Sequence, residues 1–218
     1  MPPKIKILLV DDHPLVREWL ANLINEEPDL EVCGQTGNAP EALGLIGTFL
    51  PRIVIVDISL DNGSGLELIK NVKSVHPKVD MIVLSMHDEM LFAERAMRAG
   101  AAGYVMKRDA TDKVLAAIRA VLQGATYFSN AVNAMLAQKL VKGPGDQPTA
   151  IAALSDRELE VFQLLGRGYS TRQVSEQMNV GFKTVHAYCA RIKEKLNLAS
   201  INELAFHAIR WHESQQPR

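Results

Sequence analysis

At 218 residues the chain has room for two small domains, and its 47% hydrophobic and 22% charged residues suit a globular protein rather than a disordered one. No apolar run approaches the roughly 18 residues of a membrane span, and Met1-Pro2-Pro3-Lys4 leads into a short strand pattern instead of a signal-peptide core, so a cytoplasmic protein without membrane contact is expected. The net charge of −1 conceals a gradient: residues 1–128 hold 13 Lys/Arg against 17 Asp/Glu, whereas residues 129–218 hold 11 against 8, which directs any polyanion partner to the C-terminal part.

Ile5 to Val10 reads as a first strand ending in Asp11-Asp12, after which His13-Pro14 opens a helix with Leu15, Trp19, Leu20, Leu23 and Ile24 at helical spacing. Leu30 to Gln35 is a second strand and Pro40 to Thr48 a second helix. Ile53-Val54-Ile55-Val56 is an unbroken β-favouring run of the kind buried on both faces of a parallel sheet, and it stops on the carboxylate of Asp57. The residues that follow, Ile58 to Gly65, are turn chemistry, with a third helix over Gly65 to Ser74. Met81 to Ser85 and Ala102 to Lys107 are the fourth and fifth strands, with helices over Glu89–Arg98 and Thr111–Gln123, the last stopped by Gly124. Five βα units predict a doubly wound five-stranded parallel sheet of order 2-1-3-4-5. In such sheets chemistry sits past the carboxyl ends of the strands, and there Asp11, Asp12 and Asp57 converge.

Ser129 to Leu140 reads as one more helix, and Gly143 to Pro148 as a linker. From Leu154 the pattern is all helical. Ser155 and Glu158 form a capping box for a helix carrying Leu159, Val161, Phe162, Leu164 and Leu165; Ser170 caps a second helix over Thr171–Met178. Asn179-Val180-Gly181 turns into a third helix, Phe182 to Leu196, and Ser200 caps a fourth, Ile201 to His212. Four short helices with a tight central turn predict a helix-turn-helix domain. The expected boundaries are a phosphoacceptor domain over 4–125, a linker with a helix over 126–150, and a DNA-binding domain over 151–214.

Three carboxylates held together call for a cation, and a hard divalent ion such as Mg²⁺ fits their chemistry. Ser85 and Lys107, each at a strand end, add a hydroxyl donor and an ammonium beside a nucleophilic Asp57. Residues 5–123 with this set resemble the receiver domain of two-component response regulators. The resemblance implies that Asp57 accepts a phosphoryl group from a sensor histidine kinase. It further implies that Mg²⁺ is held by Asp12, Asp57 and the Ser59 carbonyl with Asp11 acting through water, that Ser85 and Lys107 contact the phosphate, and that Tyr104 is the aromatic switch residue. His87, beyond Ser85, reads as a solvated loop histidine, with an effect on hydrolysis of the phosphate as the alternative.

On Phe182 to Leu196 the apolar stripe Val185, Cys189, Ile192, Leu196 must pack inward, so Cys189 is a core residue; two cysteines this far apart argue against a disulfide framework. The opposite side carries Lys183, Ala187, Ala190, Arg191 and Glu194, flanked by His186, Lys193 and Lys195. Residues 154–213 resemble the LuxR/FixJ-type DNA-binding domain through the Leu154–Val161, Gly168–Ser170, Lys183–His186 and Ile192–Leu196 segments. That resemblance implies double-stranded DNA as partner, phosphate contacts from Lys183, Thr184 and Lys195, base contacts from the outer face, a buried ion pair at Glu158, and a homodimer formed through Ile201–Ile209. Ala187 and Ala190 can touch a thymine methyl but cannot pair with guanine, so sequence reading is expected to fall mainly on Lys183, His186 and Arg191, or partly on DNA shape. The expected function is transcription regulation controlled by phosphorylation, not enzyme turnover. Two alternatives are the same architecture working without phosphorylation, and a haloacid-dehalogenase-like phosphohydrolase. The latter needs a second acid two residues after the nucleophile, where this chain has Ser59.

Overall fold

The structure is a computed structural model that describes residues 3–60, 63–142 and 150–215. The chain divides into two compact units, 1–142 and 143–218. The expected linker Gly143 to Pro148 lies outside the described residues.

In the first unit β1 (Ile5–Val10), β2 (Leu30–Thr36), β3 (Ile53–Val56), β6 (Asp80–Ser85) and β7 (Gly103–Met106) form one parallel sheet of order β2-β1-β3-β6-β7, the topology expected from the five βα units. All four side chains of β3 are buried, as its unbroken apolar run requires. Between β3 and β6 the turn contains a small antiparallel ladder, β4 (Ser59–Leu60) with β5 (Gly63–Ser64), that apolar patterning does not reveal. Its tip, Asp61-Asn62, lies outside the described residues.

Helices α1 (Pro14–Asn25) and α5 (Ala110–Leu122) cover one face of the sheet, packing Leu20, Ile24, Val114, Ile118 and Val121 against Ile7, Leu9, Ile55 and Leu84. On the other side α2 (Ala39–Phe49), α3 (Gly65–Val75) and α4 (Glu89–Ala99) bury Ala42, Ile46, Ile69, Val72, Phe92 and Ala96. Local chemistry sets their ends. Asn38 caps α2 by accepting from the Glu41 amide, and Asp88 caps α4 through the Met90 amide. Gly100, at φ 107°, closes α4 in the left-handed region.

After α5 the chain returns along the free edge of the sheet. The Tyr104 amide donates to the Tyr127 carbonyl at 2.8 Å and the Tyr127 amide to the Ala102 carbonyl at 2.9 Å, so Tyr127 forms a single parallel bridge with Gly103 at the edge of β7. Helix α6 (Asn130–Lys142) follows and packs on α4 with Val132 fully buried; the Ser129 hydroxyl accepts from the Val132 amide at its start.

The second unit is helical: α7 (Asp156–Gly166), α8 (Thr171–Gln177), α9 (Phe182–Leu196) and α10 (Ile201–Gln215). All three expected caps are in place: Ser155 with Glu158 and Ser170 with Gln173 form complete capping boxes, and the Ser200 hydroxyl accepts from the Glu203 amide at 3.1 Å. Asn179, at φ 48°, makes the turn between α8 and α9. The core gathers Leu159, Phe162, Val174, Val185, Ile192, Leu204 and Ala208, with Trp211 tilted against Phe162 at 5.5 Å between centroids. Cys189 is buried among them, as the helical stripe predicts, whereas Leu196 at the end of that stripe is only half-buried.

Candidate functional site

The register of the sheet builds the acidic pocket. Val10 pairs with Val56, and the Asp57 amide donates to the Val10 carbonyl at 2.8 Å, so Asp11 and Asp57 leave neighbouring strands side by side. Ser85 pairs with Met106, which places Lys107 one step beyond the end of β7 on the same edge. The Lys107 ammonium lies 2.6 Å from Asp57 Oδ2 and 2.7 Å from Asp11 Oδ2 and is largely buried. Asp11 and Asp57 are 2% and 4% exposed, so these charges meet in a medium where pairing is strong and isolation costly.

Asp12 stands next to them and is paired with His13, whose Nδ1 also lies 3.2 Å from Asp11 Oδ1. One donor atom from each of Asp11, Asp12, His13 and Asp57 falls within 4.8 Å of the others. Burial, reinforced by the Asp57 charge, pushes the Asp11 carboxyl above its ordinary value, and burial does the same to Asp12. Burial alone would lower the Lys107 pKa, but the facing Asp57 and Asp11 outweigh it and hold the ammonium above its usual value. Asp57 Oδ1 is buried with no hydrogen-bond partner among the described residues. An orphaned hard oxygen beside two further carboxylates is a donor set that fits a hard divalent cation.

Ser85 is fully buried at the end of β6, and its Oγ accepts a long hydrogen bond, 3.3 Å, from the His87 amide. Tyr104 is turned inward, 2% exposed, its hydroxyl donating to the His87 carbonyl at 2.8 Å. Burial first, and then the Asp57 charge, raise the phenol well above its ordinary pKa and keep it a donor. His87 corrects the sequence reading. It is buried, its Nε2 2.9 Å from Ser59 Oγ and its ring 4.7 Å from that of Phe92. A side chain held between Ser59 of β4 and Phe92 of α4 is no solvated loop histidine. Gly65 is also part of the site. A Cβ there would lie 1.9 Å from the Asp57 carbonyl oxygen, so only glycine lets α3 begin against the Asp57 backbone.

On α9 the outer residues Lys183, Thr184, His186, Ala187, Ala190 and Arg191 are all exposed. Lys195 departs from that set. Its ammonium lies 2.6 Å from the buried Glu158 carboxylate and 3.2 Å from the Ala153 carbonyl. Lys195 is therefore engaged in holding Glu158, while its side chain remains 37% exposed at the end of α9. Burial would raise the Glu158 pKa; the hydrogen bonds from Lys195 and Ser155 outweigh it and bring it below the ordinary value. Phe182, at the start of α9, is half-exposed and was not singled out by charge or periodicity.

Residues 7–119 match the response regulator receiver domain family, and residues 152–208 match the bacterial regulatory proteins of the luxR family. The chain is 36% identical over 203 residues to the transcriptional activator protein ExaE of Pseudomonas putida, covering 93% of this chain and 95% of that protein. It is 32% identical over 206 residues to the response regulator UvrY of Escherichia coli, covering 94% of each. Among solved structures, a LuxR-family two-component response regulator from an Aurantimonas species aligns with TM-score 0.59 and 33% identity over 63% of this chain and 99% of that one. The acidic pocket and the helix-turn-helix are thus two halves of one design, and the chain belongs to the LuxR-family response regulators, which join a receiver domain to a DNA-binding domain.

Proposed function

We propose that Asp57 is the phosphoacceptor through which a sensor histidine kinase controls DNA binding by α9. In this reading the Asp57 carboxylate attacks the phosphorus of a phosphohistidine; the new O–P bond forms as the P–N bond breaks and the histidine departs with the proton it needs. The observation that carries it is the orphaned Oδ1 of Asp57 opposite the Oδ2 that Lys107 holds. One oxygen is held by a cation and the other is left to react or to bind metal. Asp12, Asp57 and the Ser59 carbonyl would hold Mg²⁺, with Asp11 acting through water. A bound Mg²⁺ offsets negative charge at the phosphoryl oxygens. Lys107 then has a phosphoryl oxygen to pair with, the Ser85 hydroxyl can donate to it, and Tyr104 reports the change to the α4 and β7 surface.

The receiver would span 4–125, the linker 126–150 and the DNA-binding domain 151–214. Lys183, Thr184 and the Lys195 end of α9 would contact phosphates, while His186, Ala187, Ala190 and Arg191 would face the bases of double-stranded DNA. A homodimer formed on phosphorylation, with α10 in its interface, would hold two half-sites at high effective concentration. The chemistry ends on the protein itself, as a switch rather than a turnover enzyme, and suits a cytoplasmic regulator; no helix among the described residues is long and apolar enough to cross a membrane.

Intact-mass measurement after incubation with a small phosphodonor and Mg²⁺ tests this reading. A single phosphoryl adduct is expected, and Asp57→Ala should abolish it. No adduct, or phosphate release at enzymatic rates, would sink it. For the DNA face, Lys183→Ala should weaken binding to every sequence and lower the salt slope by about one counterion; an unchanged slope counts against the orientation given to α9.

A further inference from the structure

Phe182 is the first residue of α9 and is 50% exposed, although the inward stripe of that helix is already filled by Val185, Cys189 and Ile192. Its ring is held in place. It meets the His186 ring one turn later, centroids 4.4 Å apart and planes at 62°, an edge-to-face pair that restrains both side chains. Further along the exposed side stand the methyl groups of Ala187 and Ala190. The leading half of this helix therefore offers a phenyl ring, two methyls and an imidazole, with the cations Lys183 and Arg191 also exposed. Alanine and phenylalanine make no hydrogen bond to a base edge, so this surface has few polar readers.

In the major groove the apolar group that distinguishes one base is the 5-methyl of thymine, and alanine and phenylalanine are among the side chains that contact it. In helix-turn-helix docking the N-terminal residues of the recognition helix reach the base edges, and Phe182 is the first of them. We propose that Phe182, braced by His186, is a specificity-determining residue that packs on a thymine 5-methyl group in the major groove. This rests on the reading of α9 as the DNA-facing helix. Exposed cations on the same helix match a polyanion better than an apolar protein surface.

The test uses the full-length phosphorylated protein. Duplexes bound from a random pool give the preferred site, and each thymine of that site is then replaced by deoxyuridine, which removes only the methyl group. One replacement should weaken wild-type binding about fourfold, the worth of one buried methyl. Phe182→Ala should bind the thymine duplex correspondingly more weakly and show no response to that replacement, while Phe182→Leu should retain part of the response. Thermal melting of each variant separates lost contact from lost fold, and if Phe182→Ala melts early the comparison of Phe182→Leu with Phe182→Gln replaces it. Wild-type binding with no methyl dependence, or a variant that keeps the same dependence, overturns the proposal. Failure of the wild type to bind DNA, or a salt slope unmoved by Lys183→Ala, would instead overturn the underlying placement of α9.

Discussion

Replacing Asp12 by Asn should make the metal-free receiver more stable and leave it nearly deaf to Mg²⁺. Three carboxylates share the pocket with one ammonium, Lys107, which is already bonded to Asp11 and Asp57. Two like charges at the 4.8 Å limit of this cluster repel by about 3 kcal/mol at an effective dielectric of about 20. Asp12 is partly exposed and paired with His13, so we expect a net gain of about 1–2 kcal/mol on removing its charge. For a unit of this size that corresponds to roughly 3–6 °C in Tm. Calorimetry of the full chain in EDTA, reading the transition assigned to the receiver, measures it. Mg²⁺ at about 100 times its Kd should then stabilise the wild type by about 2.7 kcal/mol and the variant by far less. The pH dependence has a definite sign. Asp11 and Asp12 lie above their ordinary values in the fold, so their protonation favours folding. The metal-free receiver keeps that increment in acid and loses it as pH rises through the raised values. A variant that melts at or below the wild type in EDTA, or an equal Mg²⁺ response in both, would refute the electrostatic account.

Gly65→Ala should cost about 3 kcal/mol or more, because its methyl would meet backbone that cannot yield, and should also slow phosphoryl uptake by displacing Asp57; denaturant melts with a phosphodonor assay check both, and a neutral outcome would show that the turn relaxes freely. Glu158→Gln keeps the capping geometry but removes the charge facing Lys195, and since that lysine is 37% exposed the loss should be only about 1 kcal/mol. With its folded pKa depressed, Glu158 contributes stability above its ordinary value and loses it as pH falls through the depressed one, so wild type and Glu158→Gln should converge in acid. Parallel melts between neutral and acid pH decide that.

Elements with one-dimensional signals were legible in the sequence. The β3 run announced a doubly buried strand, strand order followed from chain connectivity, and Ser155 and Ser170 announced helix starts. Asp57, Asp11 and Lys107 were found because each terminates a strand, and strand ends share an edge once the order is known. What escaped depends on atoms far apart in the chain. His87 is enclosed by Ser59 and by Phe92 from α4, and nothing local to it signals burial. Lys195 looked like any lysine on a basic face, because its partner Glu158 lies 37 residues earlier. Gly65 looked like turn chemistry, whereas its necessity comes from the approach of one backbone to another.

The segment at Tyr127 gives the receiver a second function for its chain exit. An outer strand with unpaired amides and carbonyls is a template for other chains, and Tyr127 occupies that position on β7 through its bonds to Ala102 and Tyr104. A fragment cut just after α5 would expose this row and should be prone to self-association, although every residue of the acidic pocket would be present. The same pairing ties the departing chain to the strand next to Lys107. A pull on the chain at Tyr127 is therefore borne by β7, the strand that Lys107 follows, which gives the acidic pocket a mechanical neighbour as well as a chemical one.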